Sequence, residues 1–470
     1  MEMRQTKKHI VVGWSIFLQA LLAVPSFAQS HVASANGDRD KPNIVIIMAD
    51  DLDSKQLSCY GGQNIQTPHI DRLAREGLKF NNLIASEAMC VPTRASLFTG
   101  LYPARHGAYQ NHKPVYSGLK SIAHYLQDLG YRVGLSGKDH VTRPQKTFPF
   151  QIVPGFQKDC VAKTDDYFLD SIARFVDNDD PYCLFVMSIN PHAPWTLGDP
   201  SEFDTQKLVL PAHWVDTQRT RDHFTKYLAE VRRLDDQVGD VLKLLEEMGQ
   251  LESTIVIFLG EQGAQFPGAK WTLYDSGQHS SMLIRWGSAI APARQTDAIV
   301  QYEDITPTLI DMAGGTPIKG LDGRSFLPVI KGQRKSFRKF AFGIHNNFPE
   351  GPAYPIRSIR NERYKLILNL NSDSSYYIKY LMKPNDPNLA FSSWLEKAET
   401  DPQARFLSQR IAKRPATEFY DVQNDPYELK NLASDSRKQK TIKEMESALL
   451  SWMKGQGDAG MAMDVPFKRN

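Results

Sequence analysis

The chain reads as an α/β protein built on a large, mostly parallel sheet flanked by helices. Three features predict this. The segments "NIVIIM", "YCLFVM" and "STIVIFL" are continuous apolar runs without polar alternation, as central parallel strands covered on both faces require. Helical segments alternate with them. Each run ends in polar residues, and in open α/β sheets ligands gather at the carboxyl ends of the strands.

In chain order, Arg4, Lys7 and Lys8 precede an apolar run from Ile10 to Val24, and Ser26 and Ala28 follow as small residues. This predicts a secretory signal peptide over 1–28. A membrane anchor fits less well, because Gln19 interrupts the run and Pro25 ends it. A polar linker over 29–40 leads into "NIVIIMADD", a strand ending in Asp50 and Asp51. "TPHIDRLAREG" is a helix with Thr67 as cap, Pro68 in the first turn and Gly77 as stop. "RASLFTG" is helical from just after Pro92, and "SIAHYLQDLGYRVGLSGK" is a helix, a stop at Gly130 and a strand. Strand "YCLFVM" leads to His192. Apolar spacing between Tyr227 and Met248 marks an amphipathic helix, and "STIVIFL" ends at Glu261. "DITPTLIDMAGG" is a further helix capped by Asp304 or Thr306. The first domain spans 41–335. Over 336–470, short strands and a closing helix predict a smaller α+β domain.

A 470-residue chain with 41% hydrophobic and 10% aromatic residues excludes the disordered and fibrous classes. Removing 1–28 takes away three basic residues and one acid, so the net charge falls from +3 to +1. That balance excludes the basic field of a nucleic-acid binder. No later stretch is apolar for long enough to span a bilayer, so the expectation is a soluble, exported protein, periplasmic or secreted, of bacterial type. Four cysteines, Cys59, Cys90, Cys160 and Cys183, lack the spacing of a stapled scaffold, and a Cys160–Cys183 bridge stays open.

Cys90-Val91-Pro92-Thr93-Arg94, running on into "ASLFTG", resembles the signature of the type I sulfatases of the alkaline-phosphatase superfamily. "PNIVIIMADD", "GYRVGLSGKDH", "NPHAPW", "GAKWTLYD" and "EFYDVQNDPYELKNLA" fall where that family has counterparts, over about residues 41 to 435. The resemblance implies that a maturation enzyme, reading Pro92 and Arg94, oxidises Cys90 to formylglycine. It implies one divalent metal, Ca²⁺ or Mg²⁺ with Ca²⁺ favoured, held by Asp50, Asp51, Glu261 and Gln262 around residue 90. The hydrated aldehyde would attack sulfur, and its second hydroxyl would then expel sulfate. Arg94 would hold the diol, Lys138 and Lys270 would grip sulfate oxygens, His140 would assist at the diol, and His192 would protonate the leaving oxygen.

Two positions depart from the family pattern. Asp139 replaces a tryptophan, and Glu261-Gln262 stands where Asp followed by Asn or His is usual. Within the family, "QFPGAKWTLYDSG" and "YPIRSIRNERYKLILNLN" look most like the heparan N-sulfatase (sulfamidase) branch, implying exo action on a sulfated saccharide, N- or O-linked. Arg357 and Arg360 are either structural ion-pair partners or grips on the sugar; His112, His279 and His345 are further subsite candidates. A phosphate or phosphonate monoester hydrolase of the same superfamily and a non-catalytic glycan binder are the alternatives. The absence of a second His-rich ligand set argues against the first, and an intact maturation signature against the second.

Overall fold

The computed structural model describes residues 41–141, 144–164 and 166–467. The signal peptide and linker expected over 1–40 lie outside these residues. Twelve strands are formed among them: β1 (Asn43–Met48), β2 (Leu78–Ile84), β3 (Arg132–Gly137), β4 (Gln151–Ile152), β5 (Tyr182–Met187), β6 (Thr254–Leu259), β7 (His279–Arg285), β8 (Arg294–Gln301), β9 (Ala341–His345), β10 (Ile356–Arg360), β11 (Tyr364–Asn369) and β12 (Thr417–Asp421). The first eight make one mixed sheet in the order β4-β3-β5-β1-β6-β7-β2-β8. Every neighbouring pair in it is parallel except those of β7, which runs against both β6 and β2. The last four form a smaller antiparallel sheet in the order β12-β11-β10-β9.

Strand alternation divides the apolar residues between the two faces of the large sheet. Val45, Ile47, Leu184, Val186, Val256 and Phe258 pack against the long helix Gln218–Glu247. Ile44, Ile46, Phe185, Met187, Ile255 and Ile257 pack against the helices Cys90–Thr99, Ile122–Asp128 and Ile305–Met312. Helices on both faces explain why these strands carry no polar alternation. The closing helix Gln439–Gln456 covers the small sheet, setting Ile442, Met445 and Leu449 against Ile359, Leu366 and Phe419.

Three expectations are corrected. The long helix begins at Gln218 rather than near Tyr227, because its first turns are polar and show no apolar period. Thr67 precedes the helix Pro68–Glu76 without capping it, since its hydroxyl bonds Ser58 and Asp71; the carboxylate of Asp235 instead accepts the His69 and Ile70 N–H groups. Cys160 and Cys183 are both free thiols, Cys183 being fully buried inside β5. Among the described residues no helix is long and apolar enough to cross a membrane.

Candidate active site

The adjacent parallel strands β3, β5, β1 and β6 end along one edge, and the residues that follow them meet there. Asp50 and Asp51 follow β1. Successive residues of an extended strand face opposite sides, so two neighbouring carboxylates need a turn to share a centre. Asp51 supplies it with φ 63°, a left-handed conformation that Asp tolerates better than most residues. Both carboxylates then face Cys90, whose Sγ lies 3.5 Å from Asp50 Oδ1 and 3.7 Å from Asp51 Oδ1. Cys90 opens a ten-residue helix, every residue of which is buried, so the position is fixed by packing on all sides.

Cations match these acids one for one. Lys138, just after β3, donates to Asp50 Oδ2 at 2.5 Å, and Lys270 donates to Asp51 Oδ2 at 2.6 Å. Arg94, one turn along the helix from Cys90, donates from Nε to Glu261 Oε1 at 2.6 Å and from Nη1 to the Lys138 carbonyl at 3.0 Å. Its Nη2 lies 3.6 Å from Asp50 Oδ1 and has no hydrogen-bond partner. Gln262 Nε2 donates to Asp51 Oδ1 at 2.5 Å and stands 3.6 Å from Cys90 Sγ. The backbone flanking this acid-amide pair is close-packed: a Cβ on Gly263 would lie 1.7 Å from the Ser276 carbonyl oxygen. His192 Nε2 is 3.5 Å from Asp51 Oδ2.

Burial opposes charge on Asp50, yet Lys138, His192 and Arg94 outweigh it and hold the carboxyl well below its usual range. Burial raises Glu261 to about 8, with Asp50 adding to it and Arg94 opposing. Burial, then the nearby Glu261, push the Cys90 thiol well above its ordinary value. Burial lowers His192 to about 4, so the ring is neutral at neutral pH. Its Nδ1 lies against the Ala193 carbonyl, which only accepts; Nδ1 therefore carries the proton and Nε2 is left to accept one. Burial also pushes His140 well below its usual value. His140 Nε2 is 3.3 Å from His112 Nδ1, and the two rings form a pair at the rim.

Asp50, Asp51, Cys90 and His192 offer ligand atoms that all lie within 4.8 Å of one another. Gln262 Oε1 is buried and without a partner, which leaves one neutral oxygen donor beside them. The oxygen donors among them, the Asp50 and Asp51 carboxylates and the Gln262 amide, fit a hard divalent cation. Glu261 is turned to Arg94 instead, the consequence of a side chain one methylene longer than Asp.

The other candidates are placed elsewhere. Arg357 is fully buried on β10 and paired with both oxygens of Asp458, at 2.5 and 2.8 Å, while Nη1 also donates to the His345 carbonyl. It is a structural ion-pair partner with no donor left for a sugar. Arg360 donates to Asp275 Oδ2 at 2.7 Å beside Lys365, and lines a cavity of about 350 Å³ together with His279. His279 is bonded to Ser54 Oγ and the Asn81 carbonyl. His345 is fully buried, its Nε2 on Asn347 Oδ1. Of the five subsite candidates, only His112 is brought to the catalytic group.

Sequence reasoning missed three contributors. Cys160 Sγ lies 3.9 Å from His192 Nε2. Lys163 joins the His192 carbonyl to Glu230, which anchors the loop. The Asn190 carbonyl accepts the Asp50 N–H, and its buried amide has no partner. Asn190 was readable from its place before Pro191 at a strand end; the Lys163–Glu230 pair carried no sequence signal.

A family model described as Sulfatase matches residues 42–315, more than half of the 470-residue chain. The chain belongs to the sulfatase family. A second model, N-sulphoglucosamine sulphohydrolase, C-terminal, matches residues 265–416. An ulvan-active sulfatase of Formosa agariphila is 32% identical to this sulfatase over 453 residues, covering 92% of this chain and 84% of the relative. The N-sulphoglucosamine sulphohydrolase of Homo sapiens is 27% identical over 466 residues, covering 87% and 89%. Among solved structures, a protein in complex with its substrate D-glucosamine-2-N,6-O-disulfate superposes with TM-score 0.70 at 21% identity, over 89% of this chain and 99% of that one, and so shares the fold. This sulfatase is a sulfuric ester hydrolase.

Proposed function

We propose that this sulfatase removes sulfate from a sulfated carbohydrate at residue 90, once a maturation enzyme has converted Cys90 to formylglycine. The observation that carries the reading is the convergence of Asp50 and Asp51, each paired to a lysine, on the Cys90 side chain. Asp50, Asp51 and Gln262 would hold a divalent cation, with Ca²⁺ favoured and Mg²⁺ the alternative, while Glu261, expected among the ligands, stays on Arg94. Such a cation supplies Lewis acidity and neutralises charge on a sulfate oxygen and on the nucleophile.

Charge balance supports this. Asp50 and Asp51 face Lys138 and Lys270. A dication adds two positive charges; a sulfate ester and a hydroxyl that has lost its proton remove two. On substrate entry, Lys138 and Lys270 give up part of their carboxylate pairing and clamp sulfate oxygens, as cations do in phosphoryl transfer. Arg94 is held by Glu261 and a backbone carbonyl, and points its unpartnered Nη2 at the nucleophile. His192 Nε2 takes up the proton lost from the residue-90 hydroxyl and delivers it to the leaving oxygen. His140, neutral beside His112, orients the second hydroxyl.

Carbohydrate specificity is supported by the relatives, one ulvan-active and one named for N-sulphoglucosamine. The match of residues 265–416 to a sulphohydrolase C-terminal model supports an exo-acting subsite of that branch. A leader over 1–28 would export the enzyme to where it meets extracellular glycans. The test is sulfate release from N-sulfated glucosamine and from O-sulfated saccharides, ulvan fragments included, by protein matured alongside a formylglycine-generating enzyme. Release from at least one sulfated sugar is expected. Cleavage of aryl phosphate with no sulfate released from any sugar overturns the reading.

A further inference from the structure

A cleft of about 800 Å³ adjoins the catalytic group but contains none of it. Its walls come from residues 193–196, 218–226, 265–267 and 380–390. Two of these segments continue directly from site positions, and a third stacks beside one. Ala193 follows His192, and Gln265 lies three residues after Gln262, a reach of at most about 10 Å. Tyr380 stacks on Trp271, at 6.0 Å between centroids, and Lys270 Nζ lies 4.8 Å from the centroid of that same Trp271 ring. The volume sits within the ~300–1,000 Å³ typical of ligand sites. Since neither Cys90 nor the Asp50–Asp51 pair lines it, the cleft cannot seat the sulfate being cleaved.

The chemistry of the walls is specific. Trp195 is half-buried and stacked on Phe266 at 4.8 Å with 16° between planes, which fixes its ring. Tyr380 is 47% exposed, and Lys379 Nζ lies 4.9 Å from its ring centroid, a further positive charge beside the cleft. Arg219 and Lys226, about two turns apart on the helix Gln218–Glu247, bring positive charge; Asp222 between them is the one carboxylate of the lining. Lys226 is exposed and in no ion pair among the described residues. Among the described residues Arg219 has one ion pair, a 3.4 Å contact with Glu396, which is 67% exposed, and such surface pairs hold weakly. Partly exposed aromatic rings with net positive charge beside them fit a sugar ring carrying an anionic group.

Resting on the sulfatase reading, we propose that this cleft binds the sugar next to the sulfated one, and that this neighbour is acidic, a uronate. The exposed parts of Trp195 and Tyr380 pack beside the sugar ring, and Arg219 and Lys226 take the carboxylate. The sulfatase then recognises a disaccharide unit rather than a lone sulfated sugar.

The test separates binding from turnover. Desulfated, uronate-containing tetrasaccharides from ulvan and from heparin, and their carboxyl-reduced counterparts, are titrated calorimetrically into the full-length protein and into Arg219→Gln, Lys226→Gln and Tyr380→Ala variants. Lys243→Gln, on the exposed face of the same helix, serves as control. At least one uronate tetrasaccharide binds the wild type and the control alike. Each cleft variant weakens it by about tenfold, the size of one charge-assisted contact. Carboxyl reduction weakens wild-type binding by a similar factor. Binding equal in wild type and cleft variants, binding indifferent to carboxyl reduction, or no binding of either tetrasaccharide overturns the proposal. Sulfate release by the matured enzyme, measured separately, reports on the sulfatase reading alone, so the two fail independently.

Discussion

Lys270 Nζ lies 2.6 Å from Asp51 Oδ2 inside a site where both side chains are almost wholly buried. The pair defines the site twice over. It makes a buried carboxylate tolerable before any ligand arrives, and it sets a cation where the proposed reaction needs one for a sulfate oxygen.

Replacing Lys270 by Ala therefore has two separable effects. Asp51 loses its fixed partner, which costs about 3–5 kcal/mol in metal-free protein, read by denaturant unfolding. In matured enzyme kcat/KM falls about 100–1,000-fold, as when one charge-stabilising donor is removed. Added Ca²⁺ restores part of the stability and none of the lost rate. Equal losses with and without Ca²⁺ contradict the placement of Asp51 at the metal.

Divalent metal should stabilise the fold before it supports any chemistry. At 100 times its dissociation constant, Ca²⁺ raises the unfolding free energy by about 2.7 kcal/mol, and EDTA removes that gain. Gln262→Ala shifts the midpoint of this stabilisation to higher Ca²⁺, because the orphaned Oε1 is lost as a donor. An unchanged midpoint removes Gln262 from the metal shell.

Arg357→Ala is expected to damage the fold and spare the chemistry. Asp458 is left buried without its bidentate partner, a loss of about 3–5 kcal/mol, while KM of the surviving folded enzyme is unchanged. A raised KM at unaltered stability would return Arg357 to the sugar.

Acid should unfold the protein through its buried neutral histidines. Burial lowers His106 to about 3; its Nδ1 accepts the Ala108 N–H and its Nε2 meets Ser96. The unfolded chain takes up its proton near the ordinary value of about 6.5, so below that pH the unfolded state binds more protons. Stability from His106 is complete above about 6.5 and declines at about 1.4 kcal/mol per pH unit on the way down to about 3. Between pH 6 and 4, His106→Gln should show a shallower loss of stability than wild type by that amount. Parallel curves refute the assignment.

What the sequence made legible follows from burial on two faces. β1, β3, β5 and β6 are covered on both sides and read as apolar runs, so the strand ends that build the site were placed correctly. β2, β7 and β8 were missed. In β2, Asn81 and Asn82 sit where the register shifts and bond Asp297 across to β8. β7 begins His-Ser-Ser, buried polar residues that look like a loop until Tyr302 is seen against Ser280. β8 starts half exposed at the sheet edge. The polar first turns of the long helix hid its start, and Arg219, Asp222 and Lys226 on those turns line the cleft. Arg357 could not be resolved either, because its partner Asp458 lies 101 residues away.

In the proposed reaction, residue 90 does the chemistry as an aldehyde. The direct measurement is peptide mass spectrometry of the residue-90 peptide, set against sulfate release, in preparations matured to different extents and in Cys90→Ala. Activity proportional to the aldehyde fraction, and absent in Cys90→Ala, is the predicted result. Full activity in protein whose residue 90 is entirely thiol contradicts the account.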